Sequence, residues 1–366
     1  ASFVDKRTIK VKARSETPDF IEADVVLIAT GSSPRRPDNF PVWDHIYDSD
    51  SILSIKSIPE HMVVIGGGVI GCEYACLFRA LGVNVYLINS RDTLLPVLDR
   101  NISSSLEKSM SNMGINLLMS EKVKACSIGS SGLVVELGSG QVLKTEAVLL
   151  ATGRMSNTQE LNLAAAGITP GDHGLLIVDE NYQVIHPETR STVPGIYAAG
   201  DVIGAPALAS TSMEQARYAM IKAFQLDPYK QHLPPILPFG IYTIPECSGV
   251  GKTEEECKKE KINYVVGKAA YNQNTRGMII GDNDGFLKLI FEFNGAPEQP
   301  MKLIGAHIIG ETASELIHLG VIALTMEATH ELFINACFNY PTLGELYKYA
   351  TYDALGERAK HPTSTL

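Results

Sequence analysis

Short apolar runs closed by glycine, proline or small polar residues recur along this chain, and their spacing predicts strands alternating with helices. The clearest series is His61 to Ile65, an apolar strand, then a glycine loop, then a helix from Val69 to Leu81 stopped by Gly82, then a second strand from Val83 to Ile88. Two further runs, Ala23 to Ile28 and Glu146 to Leu150, end in the same turn, Ala29-Thr30-Gly31 and Ala151-Thr152-Gly153-Arg154. That echo predicts two related nucleotide-binding lobes. Other strands are expected at Thr8 to Ala13, Leu175 to Asp179 and Gly195 to Ala199, with a helix from about Ser212 to Phe224. The proline-rich stretch Asp227 to Pro245 reads as a linker. Beyond it the pattern changes to antiparallel strands at Phe286 to Phe293 and Leu303 to Ile309, with helices at Glu311 to Met326 and Leu343 to Ala350. The fold class expected is α/β, with tandem Rossmann-like lobes followed by a C-terminal α+β domain.

A chain of 366 residues with 45% hydrophobic and 20% charged residues holds several cores. Its formal net charge of -10 and pI near 5.4 oppose binding to nucleic acid, which is held mainly by Lys and Arg. No stretch approaches the roughly 20 apolar residues that span a bilayer, and the amino end lacks the regions of a signal peptide. The expectation is a cytoplasmic protein with no membrane partner. The six cysteines fall in no zinc-like pairing and are expected to be reduced, with Cys72 and Cys76 packed on nearly one helix face. The chain opens with Ala1 in what reads as the middle of a sheet, so a missing start is expected.

The run Gly66-Gly67-Gly68-Val69-Ile70-Gly71 is a G-x-G-x-x-G loop between a strand and a helix, the context a dinucleotide's pyrophosphate requires. Gly66 would allow the tight turn, Gly68 the approach of backbone to pyrophosphate, and Gly71 the contact of helix with strand. The strand that follows ends in Asn89-Ser90-Arg91 rather than a carboxylate. Asn89 can bond a ribose 2′-hydroxyl without repelling a 2′-phosphate, and Arg91 either neutralises that phosphate or is a solvated loop residue. The site is read as tolerant of both NAD and NADP. Asp201, after a small-residue turn, would suit a buried polyol hydroxyl.

The set Ala29-Thr30-Gly31, the glycine loop with Glu73, Ala151-Thr152-Gly153-Arg154, and Tyr197-Ala198-Ala199-Gly200-Asp201 followed by Leu208-Ala209 resembles the flavin-dependent pyridine-nucleotide disulfide oxidoreductases over essentially the whole chain. The resemblance implies FAD as a cofactor, with Asp201 on the ribitol, Leu208 and Ala209 at the flavin, and Gly31 and Gly153 in the turns of the two lobes. It also implies NAD(P) on the Gly66 to Gly71 loop, Glu73 near nicotinamide and flavin, and a last domain forming a homodimer. The segments expected are 1–57 and 159–230 for the flavin domain, 58–158 for the NAD(P) domain and 231–366 for the interface domain. The family's first glycine loop and the C-x-x-x-x-C pair of its disulfide reductases would stand before Ala1.

Disulfide reductases of that family carry His-Pro-Thr-x-x-Glu near the carboxyl end, where the His serves the thiols as acid and base. Here the matching segment is Tyr340-Pro341-Thr342-Leu343-Gly344-Glu345. A phenol ordinarily titrates near about 10 and cannot replace imidazole as a base at neutral pH. No catalytic side chain is therefore expected, and Glu345 has no His to orient. His361-Pro362-Thr363 lies in the terminal tail with no Glu after it. The segment Cys337-Phe338-Asn339-Tyr340-Pro341-Thr342, with the Asn89-Ser90-Arg91 strand end and Pro206 to Ser210, resembles the soluble, FAD-containing NAD(P) transhydrogenases, which move hydride between NADPH and NAD. Two alternatives stand beside that reading: a disulfide reductase like dihydrolipoamide dehydrogenase, and a nucleotide-binding remnant without flavin activity.

Overall fold

Strand His61–Ile65 is apolar from Met62 onward because both of its faces are covered there. A computed structural model of the chain describes residues 1–12, 19–130, 132–226, 236–293 and 299–360, which form two compact units. One unit comprises 36–152 and 236–366, the other 1–35 and 153–235. In the first of these, His61–Ile65 is the middle strand of a five-stranded parallel sheet, flanked by Ala147–Leu150 and Ile46–Asp48 on one side and by Asn84–Asn89 and Asn116–Met119 on the other. Met62 and Val64 face a core built with helices Val69–Ala80 and Arg100–Asn112, through Cys72, Ala75, Cys76, Leu106 and Met110. Val63 and Ile65 face the opposite core with Leu133, Val135, Leu137 and Leu143. Those four residues come from an antiparallel sheet of three strands over Val123–Thr145, which sequence reasoning missed. Both faces being dry is the usual state of a parallel sheet.

The same unit carries a five-stranded antiparallel sheet ordered Phe239–Ile241, Cys247–Gly251, Lys302–Ile309, Phe286–Glu292, Tyr264–Ala270. Helices Ala313–Thr325 and Leu346–Lys360 bury Ile317, Ala323, Tyr347, Ala350 and Ala354 in its core. Phe239–Ile241 falls inside the stretch expected to be a linker. Its pairing with Cys247–Gly251 gives that proline-rich segment a strand, and residues 227–235 of it lie outside the described residues. Helix Leu346–Lys360 is preceded by a separate turn of 3-10 helix at Leu343–Glu345 and runs ten residues past the expected end at Ala350.

In the other unit, strand Thr192–Ala198 pairs in parallel with Val26–Ile28 and antiparallel with Gln183–Ile185. The strand expected at Leu175 to Asp179 is absent from it. Leu176 donates its N–H to Val202 and Asp179 folds back on Gln183, so the segment changes partner too often for a ladder and leaves only the bridge Val178 to Val184. Helix Ala209–Ala223 begins three residues before its expected start, and Ser212 within it returns its hydroxyl to Leu208 O at 2.9 Å. Local bonds of this kind make Ser a poor sequence signal for a helix interior. No helix among the described residues is long and apolar enough to cross a membrane.

His307, on the central antiparallel strand, is buried with Nε2 2.9 Å from Lys252 O. Burial lowers its pKa from the ordinary 6.5, against the opposing pull of the Lys252 carbonyl and the Asp99 and Glu256 carboxylates, while Lys288 adds to the lowering. A depressed histidine stays neutral in the folded chain while the unfolded chain takes up a proton below pH 6.5, so stability falls as the pH drops through that value. The urea midpoint is expected to decline from pH 7 to about pH 5.5, and His307→Gln to flatten that slope. Part of the slope should remain, since burial lowers His330 in the same direction. An unchanged slope in the variant would remove His307 as the cause.

Candidate functional site: a glycine cradle and a second strand end

Three glycines of the loop stand in three different settings. Gly66 has φ +111° and a Cβ there would collide with Ala151 O, so the chain can turn off its strand only without a side chain. A Cβ on Gly71 would overlap the Gly66 carbonyl, which keeps the helix against the turn. At Gly68, by contrast, a Cβ would meet nothing within 4 Å. The protein itself does not demand glycine at that exposed position, which leaves the backbone open to a group approaching from outside. Gly68 is the N-cap of helix Val69–Ala80 and offers no side chain to its first-turn N–H groups, and Val69 and Ile70 stand at its mouth. Open amides at a helix N-terminus suit an anion such as a pyrophosphate. The loop thus fits the dinucleotide expected of it, at the point where the sheet order reverses direction.

Asn89 and Arg91 lie at the end of the neighbouring strand, but Asn89 is used differently from the expectation. It is 6% exposed, its Nδ2 donates to Arg91 O at 3.1 Å and to Thr93 O at 2.9 Å, and its Oδ1 accepts a long 3.4 Å bond from Gly67 N. Its amide hydrogens are committed to shaping the loop, so no donor remains for a ribose hydroxyl. Gly67 is buried against it, and a Cβ there would press on Asn89 and Leu94. Arg91 is exposed and lines a hollow of about 330 Å³ with Asp92, Thr93, Pro96, Arg100 and Glu255. Arg100 is a second guanidinium there that sequence reasoning missed, and its place beyond the strand end gave no signal. Glu73, on the glycine-loop helix, accepts the backbone N–H of Tyr242 at 2.8 Å.

The other unit gathers Gly31, Gly153, Asp201, Leu208 and Ala209. After the two Ala-Thr-Gly turns the chain forms strands Ser32–Pro34 and Arg154–Ser156, which pair with each other. Gly31 and Gly153 have φ +69° and +105° and open space where a Cβ would go. Asp201, just past strand Thr192–Ala198, accepts the Ser32 hydroxyl at 2.7 Å, and Ser32 in turn accepts Arg154 Nε at 2.7 Å. The carboxylate is thereby oriented at the carboxyl ends of two parallel strands, a placement suited to a polyol hydroxyl. Leu208 is the half-buried N-cap of helix Ala209–Ala223, and Ala209 its exposed first residue.

Tyr340 is 69% exposed and its hydroxyl lies 2.9 Å from Thr275 Oγ1. Glu345 accepts the Thr342 N–H at 3.4 Å and so closes its own turn, which is what a glutamate without a histidine does here. Pro341 to Gly344 line a larger hollow of about 1010 Å³ with Arg276, Asp282 and Glu311, away from the glycine loop. His361-Pro362-Thr363 lies outside the described residues. All six cysteines are free, five of them buried and Cys337 exposed. Burial pushes the Cys76 thiol up, and that of Cys247 up to about 12, so neither is poised as a nucleophile.

The family model for pyridine nucleotide-disulphide oxidoreductases matches residues 2–216, and the model for their dimerisation domain matches residues 237–351. Proteins named soluble pyridine nucleotide transhydrogenase from Vibrio atlanticus and Yersinia pestis are each 40% identical over 359 residues, covering 97% of this chain and 74% of theirs. The crystal structure of LpdA from Mycobacterium tuberculosis superposes with a TM-score of 0.84 at 27% identity, covering 94% of this chain and 72% of that one. The HOCl-induced flavoprotein disulfide reductase RclA from Escherichia coli shares the fold at 23% identity, with a TM-score of 0.84 over 97% of this chain and 77% of that one.

Proposed function

Because the chain belongs to the pyridine nucleotide-disulphide oxidoreductase family, whose cofactors are FAD and NAD(P), we propose that it is a soluble transhydrogenase that carries hydride from NADPH to NAD. The observation that supports this over a disulfide reductase is Tyr340. Where dithiol chemistry needs a base, the chain has an exposed phenol bonded to Thr275, and Glu345 is spent on its own turn. The chemistry that bound FAD supplies is acceptance of a hydride from one nicotinamide nucleotide and its return to the other, which calls for no protein base. NADPH and NAD become NADP and NADH, with atoms and charge in balance.

The side chains then bind and orient. The open amides beside Gly68 receive the pyrophosphate, and Arg91 and Arg100 face the adenosine ribose, where a guanidinium accepts a 2′-phosphate or leaves a 2′-hydroxyl in peace. Asp201 is assigned to the ribitol, Leu208 and Ala209 to the flavin edge, and Glu73 to the nicotinamide side of the helix. The match to a dimerisation domain supports a homo-oligomer. The reading of a homodimer is supported by Leu319 and Ile322 on helix Ala313–Thr325 and Met326 just past its end, a solvent-facing apolar row. Cytoplasmic residence follows from the use of these nucleotides as substrates and is part of the same reading.

Purified Cys337→Ser protein, which lacks the exposed thiol, should show flavin absorbance and reduce thio-NAD with NADPH, at a rate unchanged by iodoacetamide. A colourless protein that binds NADPH without turnover, or rapid loss of activity on alkylation, overturns the reading.

A further inference from the structure

Lys288 sits in the middle of an apolar strand, fully buried, and its ammonium meets four acceptors. They are Asp99 Oδ1 and Oδ2, both at 2.8 Å, Asn101 Oδ1 at 3.0 Å and Glu254 Oε2 at 2.7 Å. A buried pair of this kind adds little stability over an apolar replacement, since desolvation offsets attraction. Its effect is to fix where its members stand.

Both carboxylates lead to the adenosine side of the nucleotide site. Asp99 caps helix Arg100–Asn112 by accepting Asn101 N at 3.0 Å, and it ties in a second segment by accepting Glu254 N at 3.1 Å. The residue after Asp99 is Arg100 and the residue after Glu254 is Glu255, and both line the hollow that Arg91 enters. Arg100 also donates to Thr93 Oγ1, and its N–H reaches Glu255 Oε2 at 3.3 Å. Upstream, the loop between Asn89 and Asp99 is fastened to the glycine loop by Leu95 N on Gly67 O at 3.2 Å. The hollow holds Arg91 and Arg100 against Asp92 and Glu255, so its charges are balanced and its preference depends on distances.

We propose that Lys288 is a positioning residue for nicotinamide-nucleotide recognition: through Asp99 and Glu254 it sets Arg100 and Glu255 around the ribose and so governs how a 2′-phosphate is told from a 2′-hydroxyl. This rests on the reading that Arg91 and Arg100 face that ribose. Lys288→Met alone strands the buried Asp99 beside Glu254, so the informative variant is the neutral triple Asp99→Asn, Glu254→Gln, Lys288→Met, which removes the buried charges while keeping volume. Affinities of adenosine 2′,5′-bisphosphate and of 5′-AMP are measured by calorimetry, and KM and kcat for NADPH and NADH with thio-NAD as acceptor.

The triple variant should lose about tenfold in the affinity ratio between the two adenosine ligands, with a rise in KM for NADPH and kcat within about twofold. An unchanged ratio in the folded triple variant makes the cluster a structural lock only and overturns the proposal. So does equal weakening of both ligands. Wild-type protein with no affinity for the bisphosphate would overturn the reading of the hollow together with this proposal. A shifted ratio in a protein with no transhydrogenase activity would uphold the positioning role and sink the assigned reaction instead.

Discussion

Gly68→Ala is expected to fold and melt as the wild-type chain does while binding NADPH and NADH about 100-fold more weakly, which is about 2.7 kcal/mol. A Cβ at this position meets no protein atom within 4 Å, so nothing in the fold resists it. It would instead occupy the approach of the pyrophosphate to the helix amides, and losing one or two charge-assisted bonds, at about 1.5 to 3 kcal/mol each, accounts for the figure. Gly71→Ala provides the contrast. There the added carbon overlaps the Gly66 carbonyl, so the helix must back away from the turn, and both stability and binding should fall, stability by about 3 kcal/mol. Urea unfolding with an unchanged m-value, beside nucleotide titration, separates the two outcomes. A Gly68→Ala protein that binds normally would mean that no pyrophosphate comes to this loop.

Lys288→Met should lower the unfolding free energy by about 3 to 5 kcal/mol, as expected when one partner of a buried ion pair is removed and its counter-charge stays behind. Burial pushes the Asp99 carboxyl up, but the Lys288 ammonium outweighs it and holds the acid below its ordinary range. Glu254 is held at about 2 by the same balance, burial against Lys288 and Lys258. Without the lysine Asp99 is left in a dry site beside Glu254, which keeps Lys258 on its other oxygen. Making both neutral as well should return stability to within about 1 kcal/mol of wild type, because the penalty belongs to the stranded charges. Should Lys288→Met unfold at the wild-type urea midpoint, the cluster would be wetter than its burial indicates. The sign with pH is also set: depressed carboxylates contribute fully above their ordinary values of 3.8 and 4.5, and the contribution is lost as pH falls toward about 2.

The glycine loop, its strand and its helix are readable from the chain because local rules decide them: an apolar run, a turn that only glycine permits, and Gly82 past the helix end. The two Ala-Thr-Gly turns are readable as an echo, and their pairing through Ser32–Pro34 and Arg154–Ser156 explains it. Lys288 is a different case. A single lysine inside Phe286-Leu287-Lys288-Leu289-Ile290-Phe291 is a visible anomaly, yet its partner Asp99 stands 189 positions away, beyond any spacing rule. Asn89 was legible as a strand-end residue, but not the turn of its amide inward, since that depends on Arg91 and Thr93 carbonyls whose direction only the folded loop supplies. The start of helix Ala209–Ala223 is not legible, because Ser210, Thr211 and Ser212 are as much at home in turns as in helices.

Strand His61–Ile65, dry on both faces, raises a question of alignment. A strand with one wet face is held in register by its side chains, since sliding one residue turns the apolar set outward. Met62, Val63, Val64 and Ile65 would be buried either way, so that penalty is missing. What forbids the slip is the carbonyl of Ala151, which leaves room only for a residue without a Cβ, and so admits Gly66 and rejects Ile65. The turn assigned to the nucleotide in the proposed function is also the stop that aligns the sheet beneath it.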